Sequence, residues 1–233
     1  MIISVHQPQY LPWIGYFDKI DKSDCFVFLD TVQYKTREFQ NRNRIRIKGK
    51  WIWLTVPVKS KGHFHERIDM VQVDNESDWA QDHCKSLKTW YAHAAYFNEY
   101  FPFFEDVFSR RWERLVDLNI HIIKYLLETL KIDTEIKFDS EIGTETKSTD
   151  RIIEICGKLG AKDYLSGSGG RAYLEEEKFA QNGINLIYQD FKHPCYRQQF
   201  TEKEKDFEKY MSVIDLLFNE GPASMEIIRC SNR

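Results

Sequence analysis

Residues 4–17 read SVHQPQYLPWIGYF, placing a histidine, two glutamines, two prolines, a tryptophan and two tyrosines directly behind a short apolar segment. An imidazole suits proton transfer or stabilisation of developing charge, and aromatic rings suit stacking against bases and sugars. His6 is the first candidate catalytic group. Gln7, Gln9, Tyr10, Trp13 and Tyr16 are candidate substrate contacts, and Pro8 and Pro12 would hold them in place at lower entropic cost than a flexible loop.

Three further stretches carry chemistry. LDTVQYKTREFQNRNR (29–44) offers Asp30 as a second catalytic candidate, with Gln33 and Tyr34 as substrate contacts. Arg42 and Arg44 lie two apart on an extended segment, so both point to one face, with Asn41 and Asn43 on the other. Arginine forks suit bidentate phosphate or carboxylate binding, so Arg42, Asn43 and Arg44 join the candidate site. SGSGG (166–170) puts small residues between a strand and a helix, where backbone N–H groups approach an anion closely. Ser166, Gly167, Ser168, Gly169 and Gly170 are therefore expected at a phosphate or carboxylate, although neither GxGxxG nor a Walker A pattern occurs. DFKHPCYRQ (190–198) adds His193 as a third acid–base candidate and Cys195 as a structural residue. The His63/His65 pair in KGHFHE reads as loop surface, and no metal site is expected.

The elements that must position these residues alternate between strand and helix. Ile2–Val5 reads as a buried strand. Trp13, Ile14, Phe17 and Ile20 recur at helical spacing, and CFVFLDTV (25–32) is an apolar run of the parallel-sheet kind. Alternation through residues 41–59 around KGK predicts a β-hairpin, with RIDMVQVD (67–74) as a strand beside it. Helices are expected over 77–94 and 101–130. A strand and loop at 135–143, a helix at 148–161, a strand running into a glycine loop at 163–170, a helix at 171–184, a strand at 185–191 and a helix at 204–221 complete the pattern. The reading is one α/β domain over residues 1–233: an open, mostly parallel sheet flanked by helices, with a hairpin and helical insertion at about 40–130. In such sheets ligands gather outside the carboxyl ends of the strands, where the loops at 6–16, 29–44 and 166–170 are all expected.

Composition narrows the function. Thirty-three basic against 36 acidic residues give a net charge of −3, which argues against a general nucleic-acid binder. Five widely spaced cysteines suggest neither a disulfide framework nor a zinc knuckle. No apolar run is long enough to span a membrane and no leader pattern is visible, so a cytoplasmic location is expected.

Taken together, HQPQYLPWIGYFDKI, DCFVFLDTVQY, NRNRI, WLTVPV, YLSGSGGRAYL, FKHPCY and IDLLFNEG resemble the WbqC-like family from residue 3 to about 221. That family is associated with bacterial O-antigen and other surface-polysaccharide gene clusters. The resemblance implies a transferase or amide-forming ligase that adds glycine or another acyl group to a nucleotide-linked amino sugar. A more distant similarity is to the nucleotidylyltransferase superfamily, which includes pantothenate synthetase and binds nucleotide phosphates with a His-x-Gly-His pair. Here His6 matches the first-strand position, Gly15 could hold the place of the glycine, and Tyr16 stands where the second histidine would be. That similarity implies ATP with Mg²⁺ as cofactor. Two alternatives stay open: a nucleotidylyltransferase acting on a sugar or acid phosphate, and a non-catalytic sugar-nucleotide-binding protein. A homodimer is compatible with all three readings.

Overall fold

The computed structural model describes residues 1–59 and 66–231, so the His63/His65 pair lies outside the described residues. Five parallel strands form the main sheet: β1 (Ile2–His6), β2 (Cys25–Phe28), β5 (Glu135–Phe138), β6 (Asp163–Ser166) and β7 (Asn185–Tyr188), in the order β5-β2-β1-β6-β7. Two antiparallel strands, β3 (Arg42–Ile47) and β4 (Lys50–Thr55), form the hairpin; they pair Arg44 with Trp53 and Arg46 with Trp51. The expected α/β class, parallel sheet and hairpin are thus present. The turn of the hairpin falls at Lys48-Gly49, with Gly49 at φ +78°, the left-handed conformation that tight hairpin turns demand.

Period-two alternation sorts the side chains of the two inner strands onto two faces. Ile3, Val5, Cys25 and Val27 pack against α6 (Ser148–Leu159) and α7 (Glu176–Gln181) through Ile152, Ile155 and Phe179. Phe26 and Phe28 face the larger core. That core holds α1 (Ile14–Asp21), α2 (Trp79–Tyr91), α3 (Phe97–Ser109), α4 (Leu115–Thr129), α8 (Val213–Glu220) and α9 (Ser224–Cys230), together with the inner face of the hairpin. β2 and β5 are neighbours in the sheet, so the hairpin and α2–α4 form one long crossover between them.

Several boundaries differ from the sequence pattern, each because a tertiary partner claims the backbone. Residues 101–130 do not form one helix; α3 and α4 are separated where Glu113 O accepts from Val73 N and Leu115 N donates to Val71 O. The same contacts hold 67–74 as a short 3₁₀ turn (Ile68–Met70) with isolated bridges rather than a strand. After β6 the chain coils into a 3₁₀ turn (Ser168–Ala172), so α7 begins only at Glu176. The expected helix at 204–221 starts at Val213, where the Ser212 hydroxyl accepts from Ile214 N at 3.4 Å. β7 stops at Tyr188, short of 191, and α9 has no counterpart in the sequence reading.

Candidate active site at the strand ends

β1 lies in the middle of the sheet, and the chain leaves it in a different sense from β6. From β1 it runs into α1 on the large-core face, whereas from β6 it runs to α7 on the opposite face. This is a topological switch point, where loops diverge and leave a crevice. The ladders record the opening. β1 pairs with β2 as far as His6–Phe28, and β6 pairs with β7 as far as Ser166–Tyr188. Pairing between β1 and β6 stops at Ile3–Tyr164. Beyond that point the two strands part, with His6 ending one and Ser166 the other.

His6 is half-buried, its ring edge set against Tyr16 at 5.1 Å between centroids. Nδ1 lies 3.1 Å from Gln7 O, which makes Nδ1 the protonated nitrogen and leaves Nε2 as the acceptor, with no partner among the described residues. Burial and the nearby Lys19 amine hold its pKa down at about 3, so the imidazole is neutral. The same Gln7 carbonyl accepts from the Tyr16 hydroxyl at 3.0 Å. One backbone oxygen therefore fixes both rings.

The rest of the opening motif is less exposed than its residue types suggest. Tyr10 is fully buried, with its hydroxyl 2.8 Å from His83 Nδ1 on α2. Tyr16 is buried as well. Asn43 is fully buried and donates to Leu11 O at 2.7 Å, pinning the loop to the hairpin. In this structure the polar atoms of these three expected contacts bond protein groups: Tyr10 bonds His83, and Tyr16 and Asn43 bond carbonyls of the loop. Gln9 is buried too, and its Oε1 has no partner among the described residues. Leu11, also buried, sits at φ +44°, a strained conformation for a branched side chain.

The hairpin arginines do share a face. The Arg42 guanidinium lies 4.3 Å from the Trp53 ring, and that of Arg44 lies 4.9 Å from Trp51. Neither pairs with a carboxylate among the described residues, whereas Arg46, deeper on the same face, meets Glu208 at 3.3 Å. Arg42 donates to Arg37 O, and Arg44 Nη2 donates to Tyr210 O at 3.1 Å. Tyr210 is half-exposed at φ +63° and packs on Trp13 at 5.7 Å. Trp13 in turn folds over Gly15, leaving no room for a Cβ there. Gln189 donates to Gly15 O at 2.9 Å, and its own N–H bonds Ser166 O at 2.8 Å. A continuous run of contacts thus links Arg44, Tyr210, Trp13, Gln189 and Ser166.

In the glycine loop, Gly167, Ser168 and Gly169 reach solvent. Ser166 is buried with Oγ turned to Gly167 O at 3.0 Å, and Gly170 is pressed against Ser166 and Leu174. Two catalytic candidates have other employment. Asp30 is buried and accepts from Ser140 N at 3.0 Å and Ser140 Oγ at 2.6 Å, capping the segment after β5. His193 uses both nitrogens on backbone: Nδ1 with Pro194 O at 2.8 Å and Nε2 with Tyr210 N at 3.0 Å. Its pKa is held down at about 4, chiefly by burial. In this structure both expected acid–base candidates are hydrogen-bonded to protein groups, and His193 holds the Tyr210 turn through Tyr210 N. Gln33 is exposed and bridges to Arg67, while Tyr34 is buried with N–H donating to Glu66 O at 2.8 Å.

Sequence reasoning passed over Lys19, Gln189 and Tyr210. Lys19 follows Tyr16 by three on a helix, which is the signal that it shares the sheet-facing side. Among the described residues no group of three or more His, Cys, Asp or Glu side chains is placed to hold a metal ion, and no helix is long and apolar enough to cross a membrane.

A model of the WbqC-like protein family matches residues 7–227. The uncharacterized protein Rv1507c of Mycobacterium tuberculosis (strain ATCC 25618 / H37Rv) is 32% identical over 228 residues, covering 97% of each chain. No solved structure matches.

Proposed function

This chain belongs to the WbqC-like protein family, and on that premise we propose that it transfers glycine or another acyl group to a nucleotide-linked amino sugar in surface-polysaccharide synthesis. Family membership suggests a polysaccharide-related role. The observation that carries the finer reading is the parting of β1 from β6, which sets a neutral imidazole beside a glycine-rich loop at the crevice where such sheets take ligands.

The chemistry follows from these groups. The amine of the sugar attacks the carbonyl carbon of an activated acyl donor, forming the C–N bond. His6 Nε2 relays the proton lost by nitrogen to the leaving group within the step in which the bond between acyl carbon and donor breaks, so no imidazolium, which its low pKa disfavours, has to accumulate. The solvent-exposed glycine loop at residues 167–169 and the guanidinium of Arg44 suit the diphosphate, and Trp13 and Tyr210 offer faces to the rings. ATP with Mg²⁺ fits less well. The phosphate cradle of nucleotidylyltransferases needs a second histidine, and Tyr16 in that place is buried with its hydroxyl committed to Gln7 O. These residues suit better a donor activated elsewhere, a thioester or aminoacyl ester.

The test is incubation of the protein with a UDP-linked amino sugar and an acyl or glycyl thioester, with mass spectrometry of the nucleotide sugar. Gain of one acyl residue supports the reading; an unmodified sugar with every donor class, ATP plus free glycine included, contradicts it.

A further inference from the structure

Lys19 is 3% exposed, and no carboxylate among the described residues pairs with it. Its Nζ donates to Val5 O at 3.0 Å and lies 5.8 Å from the centroid of the Phe26 ring. A buried ammonium without a counter-charge is costly, and a Met in its place would fill the same space more cheaply. The lysine therefore needs a reason beyond packing.

Strand geometry supplies one. Carbonyls along β1 alternate between its two neighbours. Ile2 O and His6 O accept from Asp24 N and Leu29 N on the β2 side, while Met1 O accepts from Asp163 N on the β6 side. Val5 O therefore points toward β6, at a level where that ladder has already ended. The Lys19 amine occupies the gap. It stands inside the crevice between the parting strands, one residue before His6.

We propose that Lys19 is a positioning residue of this site: its amine adds to burial in keeping His6 neutral and serves as counter-charge for a phosphate group entering between β1 and β6. This rests on the reading of a diphosphate-bearing substrate given above. The titratable groups on the surrounding elements are few. His6 belongs to β1. Tyr16, Asp18 and Asp21 share α1 with it and Lys22 follows; the Asp18 carboxylate is engaged by Lys22 and Gln189, and that of Asp21 by Arg229. Cys25 of β2 lies on the other face of the sheet. Burial lowers the pKa of Lys19 to about 7, and its charge in turn disfavours protonation of His6. An anion bound in the crevice opposes the first effect, recharging Lys19 as it binds.

The experiment follows His6 and Lys19 separately by NMR. In the wild-type protein the His6 imidazole should stay neutral to about pH 4, and in Lys19→Met its pKa should rise measurably while burial still holds it below the ordinary value of about 6.5. An unchanged His6 titration in Lys19→Met overturns the coupling. Should that variant fail to fold, the ¹³Cε signal of Lys19 in the wild type decides: its pKa should move up on saturation with UDP or inorganic pyrophosphate. A Lys19 titration that does not move with the probe bound overturns the counter-charge role. If neither probe binds, the diphosphate reading fails and takes the counter-charge role with it, while the His6 shift still decides the coupling.

Discussion

Replacement of Lys19 by methionine should stabilise the protein at neutral pH and remove a pH dependence that the wild type carries. The folded-state pKa of Lys19 lies at about 7 against an ordinary 10.5, because burial strips water from the ammonium. Between those values the unfolded chain binds more protons at this site than the folded one, so stability rises with pH across that window. Below about pH 7 the penalty is fully present; above about pH 10.5 it is gone. At about 1.4 kcal/mol per pH unit, the gap sets a ceiling of about 5 kcal/mol, from which the hydrogen bond to Val5 O recovers about 1 kcal/mol. The assay is urea unfolding of wild type and Lys19→Met at several pH values between about 7 and 10. The difference between the two proteins isolates Lys19, since groups common to both cancel. His6 is neutral throughout this range and adds nothing. The advantage of the Met variant should shrink steadily as pH rises. A stability difference that stays constant over the window would refute the claim that Lys19 is held in a site hostile to its charge.

Two further substitutions test how the site is built. Gly15→Ala puts a methyl group into the Trp13 indole, so the ring must leave its seat against Phe191 and Tyr210; a shifted tryptophan emission and an affinity for a UDP-linked amino sugar at least tenfold weaker are expected, and unchanged affinity would remove Trp13 from the site. Asp215 is fully buried and accepts from Tyr91 at 2.7 Å, Tyr196 at 2.6 Å and Gln198 at 2.8 Å, joining α2 to the 196–198 segment and α8. Asp215→Ala strands two buried donors and the half-buried Tyr196 hydroxyl and should cost about 3–5 kcal/mol in urea unfolding; a loss under about 1 kcal/mol would mean that the network holds little together.

How much of this was legible beforehand depends on where each residue finds its partners. The β1-α1-β2 unit could be read because CFVF and the Trp13–Ile20 spacing are local patterns. Placement of the loops at 6–16 and 166–170 beyond the same sheet edge followed from the same alternation. Residue roles did not follow, since a tyrosine in a ligand contact and a tyrosine bracing a loop look alike in sequence. Tyr10 is claimed by His83, and Asp30 by Ser140, partners 73 and 110 positions away. Lys19 was overlooked for a related reason: a lysine on a helix ordinarily faces water, and only the end of the β1–β6 ladder creates the carbonyl that draws it inward.

The account turns on His6, and the direct measurement is turnover and affinity in the same His6→Ala protein. Mass spectrometry would follow acyl transfer to a UDP-linked amino sugar, and calorimetry would follow binding of that sugar nucleotide. The account predicts that turnover falls by at least a hundredfold, the scale of a lost general base at about 10²–10⁴, with affinity within a few-fold of wild type. Wild-type turnover in His6→Ala would contradict it.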